Sequence, residues 1–305
     1  MIRTGLLVAA LATSLCAKEI PPDTGVPVSV VITAQGQHNA PAPPLTGNDI
    51  LVSQDKQHRP ITGLEPMRGT TGLQLWVLID DGSNANLGAQ ISDLRRFIQS
   101  QPSNTEIGIG YLRNGSVEKL QPLTADHDLA ARAIRLPSGP PGISASPYLA
   151  LSELIHKWPA ASGAREVLMV SSGIDPIYGS GPSNPYLDQA IHNAQRAGVV
   201  VYSIYYPSAG MLGRSNRQIF WGQNYLAQIS DETGGALYWL GAAPPPSLTP
   251  YLDDLNHRLN GQYLLTFLAR PEAKSALQRV EIKAETPHVS LAAPSQVYVP
   301  GESAK

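Results

Sequence analysis

Residues 73–84 read LQLWVLIDDGSN. The first seven positions are almost continuously apolar and carry branched and aromatic side chains, the composition of a strand covered on both faces. The apolar run stops at Ile79, and Asp80, Asp81, Gly82, Ser83 and Asn84 follow at once. A fully buried strand therefore carries two carboxylates straight into a turn.

The same alternation extends outward in both directions. From residue 73 to about residue 260, short apolar strands alternate with amphipathic helices, which implies βα units on a parallel sheet. Leu87, Ile91, Leu94 and Ile98 fall on one helical face. Residues 106–112 and 116–120 predict a hairpin around Asn114-Gly115, a dipeptide that accepts positive φ at low cost. Asp126 is placed to cap a short helix reaching Ile134, and Ser146-Pro147 opens another as N-cap and first-turn proline. EVLMVS (166–171) reads as a central strand, and a helix from Leu187 to Arg196 is stopped by Gly198. The strand VVVYSIYY (199–206) follows, then a helix from Tyr225 to Thr233 ended by Gly234-Gly235. ALYWL (236–240) is expected as a strand, and a last helix carries Leu248, Leu252, Leu255 and Leu259.

The flanks have a different texture. Residues 26–33, 49–53, 278–284 and 296–299 show period-two character with no helical pattern between them in either flank. Two β-rich segments bracketing one α/β unit lead us to expect a small sandwich assembled from both chain ends, with added edge strands or tails as the alternative. The expected division is a signal peptide at 1–17, a β-rich segment at 18–68, the α/β domain at 69–261 and a second β-rich segment at 262–305.

Composition narrows the function classes. The chain has 305 residues, a charged fraction of 15%, a hydrophobic fraction of 42% and a formal net charge of −2. That balance offers no basic excess for nucleic acid or for an anionic membrane surface. Residues 5–15 (GLLVAALATSL) behind Arg3 have the length and flank of a signal peptide's apolar region, too short for a membrane span. The expected location is secreted or periplasmic. Cys16 is the one cysteine, so a chain cut after it has no disulfide, thiolate zinc site or cysteine nucleophile.

Several segments, in this order, resemble the von Willebrand factor type A-related proteins of the acidobacterial type. They are VSVVITAQGQ (28–37) with LTGNDILVSQDKQ (45–57), VLIDDGSN (77–84), REVLMVSSGID (165–175), AQRAGVVVYSIY (194–205), DETGGALYWL (231–240), LNGQYLLTF (259–267) and QVYVP (296–300). The resemblance covers nearly all of the chain after residue 17. It implies a Rossmann-like α/β sheet with helices on both faces, to which the small β-rich unit expected from the two flanks would be added. It also implies a metal ion-dependent adhesion site at the carboxyl ends of the strands, near a topological switch point. There a D-x-S-x-S loop, a distant Thr and a distant Asp surround Mg²⁺ or Mn²⁺ with oxygens and leave one position for a partner's carboxylate.

Matched position by position, that site is eroded. Asp80 fits the first Asp, Gly82 stands where the first Ser is expected, and Asn84 stands at the second. The distant Thr is matched by Ser144, with Ser146 as the other choice. Ser172 occupies the usual place of the distant Asp, and Asp175 falls three positions late. One carboxylate among neutral Ser and Asn oxygens should hold Mg²⁺ weakly. The competing reading is that Asp80 and Asn84 cap the following helix and satisfy strand-end amides.

A second candidate surface is the long segment 207–224, which contains MLGRSNRQIFWGQN (211–224) and should emerge on the same face as Asp80. Arg214, Arg217, Phe220 and Trp221 are residue types that anchor interfaces, and a long segment without regular structure is often functional. Phe220 and Trp221 folding back as core packing is the alternative. The sequence lacks G-x-S-x-G, H-E-x-x-H, a P-loop and a strand-borne G-x-G-x-x-G. The expected function is thus an exported, non-catalytic module binding a protein or envelope ligand. Two alternatives stay open: an Mg²⁺-dependent adhesion or assembly factor built on Asp80, and an exported serine hydrolase using Ser172.

Overall fold

The structure is a computed structural model that describes residues 25–37, 40–67, 72–138, 146–160, 163–209, 215–239 and 243–302. Ser144, Arg214 and the segment 1–17 lie outside these residues.

The central element is a six-stranded sheet in the order β10-β9-β8-β5-β6-β7. Its strands are β5 (Leu73–Asp80), β6 (Thr105–Arg113), β7 (Ser116–Thr124), β8 (Ala164–Ser171), β9 (Val199–Tyr205) and β10 (Leu237–Tyr238). All neighbours pair in parallel except β6 and β7, whose hairpin turns on Asn114 and Gly115, both at positive φ. Among the described residues, six helices cover the sheet: α1 (Ile91–Gln99), α2 (His127–Arg132), α3 (Pro147–Lys157), α4 (Pro185–Ala197), α5 (Asn216–Thr233) and α6 (Thr249–Asn260). Strand alternation divides the core accordingly. Leu75, Val77 and Ile79 of β5 pack with α1, α2 and α6, while Trp76 and Leu78 pack with α3, α4 and α5. Fully burying each of these side chains contributes roughly 1.5–3 kcal/mol.

The chain ends supply eight further strands: β1 (Val26–Gly36), β2 (Ile50–Gln54), β3 (Gln57–His58), β4 (Ile61–Pro66), β11 (Gln262–Ala269), β12 (Ala276–Ala284), β13 (Val289–Ala292) and β14 (Gln296–Val299). They form two four-stranded antiparallel sheets, β13-β1-β11-β4 and β14-β12-β2-β3. Each sheet mixes strands from both ends, and Val30, Ile32, Leu265, Phe267 and Val299 fill the core between them. The protein is therefore a Rossmann-like α/β unit with a small β-rich unit built from its amino- and carboxyl-terminal segments.

Two expectations about local structure need correction. The segment 207–224 is not irregular throughout: α5 begins at Asn216, so Arg217, Phe220 and Trp221 are helical. The strand expected at 236–240 is confined to Leu237–Tyr238, because Trp239 turns out to solvent.

A glycine pair seats α5 on the loop after β8. A Cβ at Gly222 would stand 2.4 Å from the Ser172 carbonyl oxygen. One at Gly173, whose φ is +67°, would stand 2.2 Å from the Gly222 carbonyl oxygen. Alanine ordinarily favours a helix over glycine by nearly 1 kcal/mol. Here Gly222→Ala is expected to destabilise by about 1–3 kcal/mol through overpacking. Denaturant titration checks this, and a stabilised variant would show that the contact is not close.

Candidate functional site

The strand order reverses between β5 and β8, so the switch point lies where these two strands end side by side. Asp80 closes β5 and Ser171 closes β8. The Ser171 hydroxyl donates to Asp80 Oδ2 at 2.8 Å, and the Gly82 amide donates to Asp80 Oδ1 at 2.9 Å. The carboxylate is nearly inaccessible. Burial pushes its pKa up against the lowering effect of those two bonds, and the charge of Asp81 adds to the rise.

Hydroxyls gather around it from four separate segments. Ser208, in the loop leaving β9, donates to the Ser172 hydroxyl at 2.6 Å. Ser83 bridges Ser208 backbone to backbone, and its own buried hydroxyl has no partner among the described residues. Ser146 caps α3, its hydroxyl accepting from the Leu149 amide. Asp80, Gly82, Arg113, Ser146, Ser172 and Ser208 line a narrow crevice at this point.

Asp81 takes the opposite direction. Its Oδ1 accepts from Arg135 at 2.7 Å and from the Ser138 amide at 2.8 Å, while Oδ2 lies 3.5 Å from the Arg113 guanidinium. Burial raises its pKa, but the bonds from Arg135 and Ser138 and the charges of Arg135 and Arg113 outweigh it and leave the pKa lowered. Asp175 is also consumed locally, accepting from the Ile177 and Tyr178 amides and the Asn184 side chain.

A metal ion of the kind the resemblance implies fits this donor set poorly. Both Asp80 oxygens already accept protein hydrogen bonds, and Asn84 Oδ1 accepts from the Asn86 amide at 2.9 Å as the cap of a short 3₁₀ turn. Ser172 supplies a hydroxyl, engaged with Ser208, where a second carboxylate is needed. Among the described residues, no three His, Cys, Asp or Glu side chains converge. Among the described residues no histidine hydrogen-bonds to Ser171 or Ser172; Ser171 donates to Asp80, and Ser172 accepts from Ser208.

The second surface lies on the same side. The Arg217 guanidinium donates to the Ser180 carbonyl at 3.1 Å, and the Tyr225 hydroxyl donates to the Gly181 carbonyl at 2.7 Å. These bonds tie the front of α5 to the loop after β8. Trp221 is half-buried against Tyr225, with ring centroids 5.9 Å apart. Phe220 is 56% exposed beside it, and Ile177 and Tyr178 of the tied loop are 53% and 51% exposed. Ser171 reaches Asp80 directly, while Ser208 and Arg113 join the same crevice from other strand ends, and no local spacing in the sequence announces them.

Fold and site together define a doubly wound α/β protein with a hydroxyl-lined crevice at its switch point and an apolar rim beside it. No family model matches the sequence, and no curated protein matches it. Among solved structures, the chain is similar to an aerotolerance-related membrane protein from Bacteroides fragilis, at 13% identity and TM-score 0.45 over 62% of this chain and 99% of that one. It is similar to a von Willebrand factor type A protein from Catenulispora acidiphila, at 10% identity and TM-score 0.46 over 92% of this chain and 75% of that one. The von Willebrand factor domain of a type V pilus tip protein from Porphyromonas gingivalis matches at 12% identity and TM-score 0.44, over 63% of this chain and 96% of that one. None of the three is close enough to lend this chain its activity.

Proposed function

We propose that this protein is an exported, non-catalytic binding module that takes a protein partner on the carboxyl-end face of its central sheet without a metal ion. The observation that carries this reading is the state of Asp80: both oxygens are spent inside the protein, next to exposed Ile177, Tyr178 and Phe220 on the same side. Exposed aromatic side chains around a rigid scaffold suit an interface anchor, whereas a carboxylate whose two oxygens already accept protein hydrogen bonds, and whose charge is disfavoured by burial, suits cation binding poorly. The reading assigns residues 1–17 to a signal peptide, 69–261 to the binding domain, and 18–68 with 262–305 to its β-rich support. No helix among the described residues is long and apolar enough to cross a membrane.

The test is capture of a partner from envelope extract of the source cells by the immobilised protein. Retention is expected to disappear in a Tyr178→Ser/Phe220→Ser variant and to survive both EDTA and Asp80→Asn. Submillimolar calorimetric binding of Mg²⁺ or Mn²⁺ that vanishes in Asp80→Ala would overturn the metal-free reading. Labelling by a serine-directed probe that vanishes in Ser172→Ala would overturn the non-catalytic one.

A further inference from the structure

At the opposite end of the sheet, where β8 and β9 begin, the α/β unit meets the sandwich across a cavity of about 420 Å³. That volume lies within the range of small-molecule sites, roughly 300–1,000 Å³. Val31, Leu264 and Val297 of the sandwich supply part of its apolar wall, and the carboxyl end of α4 closes another side. Among the described residues its charged lining is entirely cationic: Arg165 and Arg196 contribute, and no Asp, Glu, Lys or His does. In a chain of net charge −2, two guanidiniums beside an apolar wall without an acid form a locally biased environment.

Among the described residues, no carboxylate lies within ion-pair distance of either arginine. Arg165 is fixed by the Trp158, Pro159 and Ala197 carbonyls, and burial lowers its pKa, the signature of an unpaired charge drawn from water. Arg196 sits over the Tyr298 ring, its guanidinium carbon 4.5 Å from the ring centroid, and donates one bond to the Tyr298 hydroxyl at 3.3 Å. The stacking fixes the fork while leaving other N–H groups free to donate. An exposed planar fork held at the edge of a cavity with an apolar wall can pair a carboxylate in two parallel charge-assisted hydrogen bonds.

We infer that this cleft between the α/β unit and the sandwich is a binding site for a small amphipathic anion, an aliphatic carboxylate whose head meets Arg196 and Arg165 and whose chain lies on the apolar wall. The site stands apart from the carboxyl-end face, so its failure would leave the partner-binding reading untouched.

Octanoate is the probe. Titration calorimetry should show saturable binding to the full chain, and the methyl NMR signals of Val31, Leu264 and Val297 should shift in proportion to occupancy. Arg196→Gln replaces an exposed residue and should keep the wild-type melting temperature, yet weaken octanoate by at least about tenfold, the minimum for losing a charged hydrogen bond. Arg196→Lys, which keeps the charge and loses the fork, should fall between. Neutral 1-octanol and inorganic phosphate should each bind more weakly than octanoate. The inference is overturned by absence of octanoate binding, by 1-octanol or phosphate matching octanoate, or by unchanged affinity in a folded Arg196→Gln protein.

Discussion

Replacing Glu166 by Gln is expected to make the protein progressively more stable relative to wild type as pH rises from 5 to 8. Glu166 lies on β8 beneath the sandwich and is completely buried. Its Oε1 accepts from Gln262 at the start of β11, and the same Gln262 amide also reaches the Tyr202 hydroxyl at 3.1 Å. Oε2 has no partner among the described residues. Burial pushes the carboxyl from 4.5 up to about 8, against the lowering effect of the Gln262 bond. In the folded state the proton therefore stays on through neutral pH, while the unfolded chain releases it above 4.5. The folded state binds more protons across that window, so stability falls with pH from about 4.5 and levels off above about 8, where both states are ionised. At ~1.36 kcal/mol per unit, the term removed by the amide amounts to roughly 4 kcal/mol between pH 5 and pH 8. Gln cannot ionise and keeps an acceptor for Gln262, so the variant should lose this slope. Denaturant melts of both proteins at pH 5, 6, 7 and 8 check it, and parallel stability curves would show that Glu166 is charged in the fold or open to water.

The elements that were legible in sequence are those whose local pattern and tertiary environment agree. β5, β8 and β9 are buried on both faces, so their unbroken apolar runs report directly on their position. Gly198 and Gly234 end α4 and α5 in the left-handed region that glycine enters at no steric cost. The start of α5 is hidden because Asn216, Gly222 and Asn224 weaken the intrinsic helix propensity of its first turns. Docking through Gly222 against the Ser172 carbonyl is a contact between segments far apart in sequence, and it decides the matter. The same holds for the site. The erosion of the metal-binding pattern is visible at Gly82 and Ser172, but what took its place is not. Ser171, Ser172 and Ser208 assemble around Asp80 only when β8 and β9 are laid beside β5. Glu166 gave no sign of burial, since its neighbours in β8 read as an ordinary strand and its partner Gln262 belongs to the sandwich.

Asp81 is the complementary case, a buried acid whose charge the protein retains, and its removal should be among the most costly single changes at this face. The side chain is 1% exposed, joined to Arg135 at 2.7 Å and to the Ser138 amide, with Arg113 at 3.5 Å. Arg135 in turn stacks on Tyr111 at 4.0 Å from the ring centroid, and the Tyr111 hydroxyl donates to the Arg135 carbonyl and accepts from its amide. One carboxylate thus anchors the chain after α2 to the end of β5. Asp81→Ala leaves the Ser138 amide without its acceptor and leaves Arg135 and Arg113 with the more exposed Glu118, at 3.5 and 4.0 Å, as their remaining shared anion. A fully buried pair broken in this way costs about 3–5 kcal/mol; Arg135 and Arg113 still reach water, so about 2–4 kcal/mol is expected here. Asp81→Asn, which keeps the size and one acceptor, should lose less. Because the folded pKa of Asp81 is lowered, its contribution is present above the unfolded value of 3.8 and is lost as pH falls through the folded one. The deficit of Asp81→Ala should therefore be full at pH 7 and shrink toward pH 3, as protonation does to wild type what the substitution does to the variant. Equal deficits at pH 7 and pH 3 would mean that shape, not charge, is what Asp81 provides. A deficit confined to neutral pH would assign the rigidity of this face to the Asp81–Arg135 bond, independent of any ion at Asp80.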